Sequence, residues 1–133
     1  MVSTVLVHFE MVQLVARMQR SWNLPVRVEL LAFIIPAFVA HLLGIGLYAI
    51  AFAWMHAHPE LGALMGDIGS DAADFFYFSL TCYTTLGFGE VYAVGPMRIT
   101  AGIEGLNGLV LIAWSATFTF VSIEKVWRKD RKS

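Results

Sequence analysis

Cysteine and charge are both scarce in this chain. Cys82 is the only cysteine among 133 residues, which excludes an intrachain disulfide and a metal site built from cysteines. Charged residues make up 14% of the chain and hydrophobic residues 58%, a composition too apolar for a soluble domain of this length. No Ser/His/Asp set, metal cluster or nucleotide-binding loop stands out. We therefore expect neither an enzyme nor a cofactor, and nothing indicates a nucleic-acid partner.

Two apolar segments are long enough to cross a membrane. Residues 26–55 and 97–127 each exceed the roughly 20 residues that a spanning helix requires. A further helix is predicted over 71–83, with Asp71 as its N-cap, and it is too short to span. Irregular chain at membrane depth must be buried in protein or line water, so residues 71–90 are expected to be re-entrant. The predicted fold class is an all-α membrane protein with two transmembrane helices, an outer and an inner one.

The basic residues indicate the orientation of the chain. Arg98 is the only one in the middle of the sequence, where acidic residues predominate, and the other eight of the nine lie on the flanks. The positive-inside rule then predicts a multi-pass protein with both termini cytoplasmic. A bacterial inner membrane fits the lack of attached domains. The flanking residues are Arg17, Arg20, Arg27, Lys125, Arg128, Lys129, Arg131 and Lys132.

The two ends of the chain have their own character. Residues 1–24 are predicted to form an amphipathic interfacial helix that a break at 21–25 ends, and 128–133 a short cytoplasmic tail. The open alternative for the helix is packing on a neighbouring subunit. Its apolar side would carry Val5, Leu6, Phe9, Val12, Val15 and Ala16, and its polar side His8, Glu10, Gln13, Arg17 and Gln19.

A glycine-punctuated stretch, called here the filter-like stretch, runs Thr84-Thr85-Leu86-Gly87-Phe88-Gly89-Glu90. It resembles the selectivity filter of potassium channels, whose pattern is Thr-Val-Gly-Tyr-Gly-Asp. Such a filter turns successive backbone carbonyls inward to replace the water around an ion, and glycine adopts the required backbone angles cheaply. The resemblance covers residues 26–126, nearly the whole chain.

The resemblance implies a homotetrameric pore in the membrane lipid, with the outer helix toward the lipid. Potassium, the permeant ion, would bind at Thr85, Leu86, Gly87 and Phe88, and Gly89 would complete the filter. The Thr85 hydroxyl would add an oxygen at the inner end. The side chains of Leu86 and Phe88 would point away from the ions and wedge the strand from behind.

Several residues depart from the family pattern. Phe88 replaces tyrosine and loses a hydroxyl, Leu86 replaces valine, and Glu90 is one methylene longer than the usual aspartate. Tyr77 and Phe78 stand where many members carry tryptophan. We expect weaker polar bracing and a filter prone to close at low external potassium. Filter support is expected from Tyr77, Phe78, Thr81, Thr84, Glu90 and Glu104.

The resemblance also assigns roles along the inner helix. Gly108 matches the hinge glycine at which such helices bend, although a purely packing role is equally open. Phe120 would narrow the inner mouth and could gate by dewetting, and Glu124 would stand at the cytoplasmic entrance. The cavity would be lined by Leu109, Ile112, Ala116 and Thr117.

Glu104 needs a partner, because a charge at the centre of a span costs about 2.5–3.5 kcal/mol. We expect a buried hydrogen bond from Glu104 to the back of the short helix, with Thr81 or Tyr83 as partner and a similar task for Asn107. The alternative places Glu104 in water behind the filter-like stretch. A charged residue within a span is in either case a candidate for function.

The histidines allow two interpretations each. His41 could sense protons, although a neutral histidine hydrogen-bonded between helices is expected. His56 and His58 could ligate a metal with Asp67, although a turret-like loop is the simpler interpretation.

The predicted function is passive, potassium-selective conduction. The alternatives are a non-selective monovalent cation channel and a non-conducting membrane subunit that modulates a partner. No helix carries arginine at every third position, so no voltage sensor is expected. The sequence therefore leaves the pore, the membrane, the N-terminal helix, pH or a separate regulatory protein as the source of gating.

Overall fold

The structure is a computed structural model that describes residues 1–19, 26–69 and 71–130. The predicted break at 21–25 and the last residues of the predicted tail lie outside the described residues. The described elements are α1 (Val2–Gln19), α2 (Val26–His56), a single 3-10 turn (Pro59–Leu61), β1 (Ala63–Gly66), α3 (Ala72–Tyr83), β2 (Val91–Val94) and α4 (Met97–Asp130).

The predicted all-α, two-span fold class is confirmed. Within α2 and α4, the segments Ile34–His56 and Met97–Glu124 are long and apolar enough to cross a membrane, with mean hydropathies of 2.0 and 1.7. Between them α3 has only 12 residues, which is too short to span. Asp71 stands at the N-cap position of α3, but its side chain makes no capping hydrogen bond, which corrects the predicted cap.

A small two-stranded antiparallel sheet was not predicted. β1 and β2 pair antiparallel, with Ala63 opposite Val94 and Gly66 opposite Val91. The Asp67 amide also donates to the Glu90 carbonyl at 3.0 Å. This pairing attaches the segment after α2 to the chain that leaves the filter-like stretch. Each strand has four residues and all of α3 lies between them, so no local turn signal marks the pair.

An aromatic core fixes α3 against α2. The rings of Phe52 and Phe78 meet edge to face with centroids 5.0 Å apart, and both side chains are buried. Leu64 of β1 and Met97 at the start of α4 complete the same cluster. Helix α3 is therefore held by both spans and by the two-stranded sheet.

Helix α1 packs against the spans with a side that includes polar residues. Thr4, His8 and Val12, which are spaced four residues apart, are all buried, whereas Leu6 and Phe9 from the expected apolar side are exposed. Asn107 and Ser115 of α4 supply hydrogen-bond partners for Thr4 and His8, so part of the polar side turns toward the spans. The interfacial position of the helix stays a prediction, because an apolar side that faces lipid is also exposed in a single chain.

Candidate functional site

The filter-like stretch begins where α3 ends. The Thr84 amide and the Thr84 hydroxyl both reach the Leu80 carbonyl, at 3.1 and 2.7 Å, and so close the last turn of the helix. The Thr85 hydroxyl donates to the Thr84 carbonyl at 2.6 Å. The chain then leaves helical geometry, and its residues 85–90 are exposed within the single chain.

Every second residue of this stretch has a positive φ. The angles are 60° at Thr85, 52° at Gly87 and 87° at Gly89. Thr85 is the only non-glycine residue with positive φ in the described parts of the chain, a strained conformation that tends to occur at functional sites. In an ordinary strand successive carbonyls point to opposite sides, and alternating left-handed residues turn them toward one side.

Gly87 and Gly89 are required by their positive φ angles and not by neighbouring atoms that would exclude a side chain. A Cβ added at Gly87 or Gly89 would meet nothing within 4 Å, yet both residues have φ values that L side chains rarely adopt. The Gly87 amide bonds back to the Thr81 carbonyl at 3.2 Å, which ties the middle of the stretch to α3. The Thr81 hydroxyl donates to the Phe78 carbonyl at 2.8 Å.

The side chains expected to wedge the stretch find no partner in their own chain. Leu86 is 63% exposed and Phe88 is 64% exposed. Surfaces of this size at the end of a re-entrant helix need cover from lipid or from another copy. The predicted wedge therefore does not form within one chain.

One polar brace does form behind the stretch. The Tyr77 hydroxyl donates to Glu90 Oε2 at 3.0 Å. This hydrogen bond raises the pKa of the Tyr77 phenol above its ordinary value, so the hydroxyl stays a donor. The brace connects α3 to Glu90, the last residue of the stretch.

Glu104 is fully buried, and its partner differs from the prediction. Ser79 Oγ lies 2.5 Å from Glu104 Oε1 and 2.8 Å from the Ile45 carbonyl oxygen. Thr81 and Tyr83 bond elsewhere. Asn107 also differs, because its amide donates at 2.9 Å to the Thr4 hydroxyl of α1 and not to α3.

Hydrogen counting at Ser79 bears on the protonation of Glu104. A serine hydroxyl has one proton, and the Ile45 carbonyl can only accept it. Both short contacts are satisfied together when Glu104 carries a proton and donates it to Ser79 Oγ. Glu104 Oε2 is buried without a hydrogen bond, which a neutral carboxyl tolerates far better than a charged one. The geometry therefore fits a neutral Glu104.

Glycines of α4 bring it against the last turn of α3. A Cβ added at Gly108 would lie 2.1 Å from the Tyr83 carbonyl oxygen, and one at Gly105 would lie 3.2 Å from the Cys82 carbonyl oxygen. Gly102 has nothing within 4 Å. Close packing is thus a sufficient reason for Gly108, and the hinge role remains a prediction.

The residues predicted to line the cavity are all exposed in the single chain. The side of α4 that contacts the other helices buries Glu104, Asn107, Leu111 and Ser115, a stripe at helical spacing. Glu124 is half-buried near the end of the described side chains. The exposed predicted residues are Leu109, Ile112, Ala116, Thr117 and Phe120.

The metal alternative at the outer histidines is not supported. His56 Nδ1 accepts from the Leu64 amide at 3.1 Å, and His58 Nδ1 donates to the Trp54 carbonyl at 2.8 Å. No group of three His, Cys, Asp or Glu side chains arranged to hold a metal occurs in the described ranges. The two histidines instead fix the turn between α2 and β1.

Sequence reasoning missed the roles of four polar residues. Thr4, His8, Ser79 and Ser115 are buried and hydrogen-bonded between helices. Ser115 lies on the same stripe of α4 as Glu104 and Asn107, and that spacing was the available signal. For Ser79 and His8 the sequence shows no comparable sign.

Two membrane-length helices that enclose a short helix and an irregular loop define a membrane protein with a re-entrant segment. A family model described as Ion channel matches residues 40–125, which is more than half of the chain. The chain therefore belongs to this ion channel family. No curated protein and no solved structure gives a match.

Proposed function

We propose that four copies of this chain form a potassium-selective channel whose filter-like stretches surround one axis. The observation that carries the proposal is the alternating positive φ at Thr85, Gly87 and Gly89. Such a backbone can direct the carbonyls of Thr85, Leu86, Gly87 and Phe88 toward one side, where they would replace the water around potassium.

Assembly into a ring follows from what one chain lacks. A single chain supplies one strand of carbonyls, whereas an ion needs several strands around it. Leu86 and Phe88 are exposed in the single chain, and a neighbouring copy is the cover we propose for them. Leu109, Ile112 and Phe120 are exposed on α4 and would line the cavity of the assembled pore.

The proposed channel conducts passively from one side of the membrane to the other. Both termini would be cytoplasmic, by the distribution of basic residues, in a membrane such as the bacterial inner membrane. Potassium would move between carbonyl sites, driven by its gradient and by about 2.3 kcal/mol per charge per 100 mV. Phe120 would form a dewetting constriction and Glu124 would concentrate cations at the inner mouth.

Flux into liposomes tests this function. The purified protein is first checked for its mass in detergent and then reconstituted, and tracer uptake is driven by potassium or by sodium. We expect a tetramer whose potassium uptake barium blocks and sodium does not replace. Equal uptake of both ions would favour a non-selective channel. A protein that remains a monomer and carries no flux would contradict the channel proposal. The remaining candidate would then be a non-conducting subunit that modulates a partner.

The Tyr77→Phe variant is expected to make conduction fail sooner at low external potassium. It removes the hydroxyl that donates to Glu90, and one such hydrogen bond contributes about 1 kcal/mol, or roughly a fivefold change in an equilibrium. The measurement is the decay of flux as external potassium is lowered. Tyr92→Phe is the control, because Tyr92 is exposed on β2. Identical decay in both variants would contradict the brace.

A further inference from the structure

Helix α1 reaches the interior of the fold with two polar side chains. Thr4 and His8 are 4% and 1% exposed, as deeply buried as residues of the apolar core. Thr4 Oγ1 accepts from Asn107 on α4, and His8 Nε2 lies 2.8 Å from Ser115 Oγ, also on α4. The His8 ring also lies against the ring of His41 on α2, with centroids 4.7 Å apart. α1 is therefore joined to α4 by two hydrogen bonds and to α2 by a ring contact.

The contact at Ser115 continues as a chain of hydrogen bonds. Ser115 Oγ lies 3.0 Å from His41 Nε2, and His41 Nδ1 lies 2.9 Å from the Tyr83 hydroxyl. His8, Ser115, His41 and Tyr83 belong to α1, α4, α2 and α3 respectively. Tyr83 is the last residue of α3 and directly precedes the filter-like stretch. One polar path thus links the N-terminal helix to the start of that stretch.

Proton counting allows two directions for the chain, and each leaves one buried donor without an acceptor. If Tyr83 donates to His41, then His41 donates to Ser115 and Ser115 donates to His8, and every hydroxyl and neutral imidazole in between is used as both donor and acceptor. In the reverse direction the Tyr83 proton has no acceptor among the described contacts. In the first direction the unpaired donor is the Nδ1–H of His8, which is buried without a hydrogen-bond partner, so the chain ends at His8.

We propose that α1 sets the conformation at the start of the filter-like stretch through this chain, which we call the four-helix relay (His8, Ser115, His41 and Tyr83), and thereby controls ion flux. The proposal rests on the channel function proposed above. The four side chains of the relay act as positioning residues, since none of them contacts the proposed ion path. Apolar helices can pack without such a chain, and burial of these polar groups costs free energy that their hydrogen bonds offset only in part, because His8 Nδ1 has no partner.

The relay predicts that substitutions at its separate members lower potassium flux by similar amounts. His8→Ala, Ser115→Ala and Tyr83→Phe each interrupt the same path, so each is expected to lower potassium flux per tetramer by about fivefold, the effect of one hydrogen bond. The double variant of His8→Ala with Tyr83→Phe is expected to lose no more than the larger single loss. His41→Gln, whose amide can donate and accept, is expected to retain more flux than His41→Leu.

Two controls separate the relay from loose packing. His58→Ala removes a histidine whose hydrogen bond lies at the outer end of α2, and Thr4→Val removes the other side-chain bond of α1 to α4. Both are expected to change flux by less than twofold. Flux is expressed per intact tetramer, so that a loss of yield does not enter the comparison.

A second readout does not depend on conduction. Cys82 precedes Tyr83 and is half-buried, and its labelling by a small thiol reagent reports how tightly the last turn of α3 is held. His8→Ala is expected to speed this labelling about fivefold in the tetramer, and His58→Ala to leave it unchanged.

The outcomes separate the two proposals. A wild-type tetramer without cation flux would overturn the channel function, and Cys82 labelling would still decide whether the relay exists. Normal wild-type flux with multiplicative losses in the double variant, or with unchanged labelling in His8→Ala, would overturn the relay and leave the channel function intact.

Discussion

Gly108→Ala is expected to abolish the folded channel. The added Cβ would lie 2.1 Å from the Tyr83 carbonyl oxygen, well below any real contact, and the atom it meets is backbone, which cannot swing aside. Overpacking costs about 1–3 kcal/mol even where side chains can move, so we expect a loss of about 3 kcal/mol or more. The measurement is the thermal stability and yield of the purified protein in detergent.

Gly102→Ala is the matched control on the same helix. A Cβ at Gly102 would meet nothing within 4 Å, so alanine is expected to be neutral or to stabilise α4 by up to about 1 kcal/mol. If Gly108 served only as a hinge, Gly108→Ala would fold as well as Gly102→Ala and would lose only opening. A stable Gly108→Ala tetramer would therefore contradict the packing described here.

Glu104→Ala is expected to destabilise the protein by about 2–4 kcal/mol. It removes one of the two hydrogen-bond partners of the buried Ser79 hydroxyl and leaves a cavity between α4 and α3. Glu104→Gln is expected to remain within about 1 kcal/mol of the wild type, because its amide can donate to Ser79 Oγ as a protonated carboxyl does. Thermal stability and flux per tetramer are measured for both variants.

The pair of variants also tests the protonation of Glu104. If the site needs a negative charge, Glu104→Gln will fail as badly as Glu104→Ala, and the hydrogen count at Ser79 will be wrong. If the neutral form is the native one, only Glu104→Ala will fail. Ser79→Ala provides a further check, since it removes the shared hydroxyl and should resemble Glu104→Ala in sign.

The sequence was most informative where one physical requirement dominates. Membrane length predicted the two spans, and the short aromatic segment 71–83 predicted the helix between them. Gly87 and Gly89 pointed to positive φ, which the structure has at both residues. These features follow from local composition, and no distant partner is needed to predict them.

Partner choice could not be predicted in the same way. The sequence left Thr81 and Tyr83 of α3 as candidate partners of Glu104. Only the packing of α2 and α4 on α3 selects Ser79. The side of α1 that packs on the spans could not be predicted from its own periodicity, because Asn107 and Ser115, far along the chain, supply its polar partners. The two-stranded sheet likewise depends on pairing between segments that precede and follow α3, and no short-range feature of the sequence predicts it.

The central claim is that the carbonyls of the filter-like stretch select potassium. The most direct measurement is the reversal potential of the reconstituted wild-type protein in a planar bilayer, with potassium on one side and sodium on the other. We predict a potential displaced toward the potassium equilibrium value by at least about 59 mV, which corresponds to a tenfold preference for a monovalent ion. A reversal potential near zero with measurable current would contradict the claim.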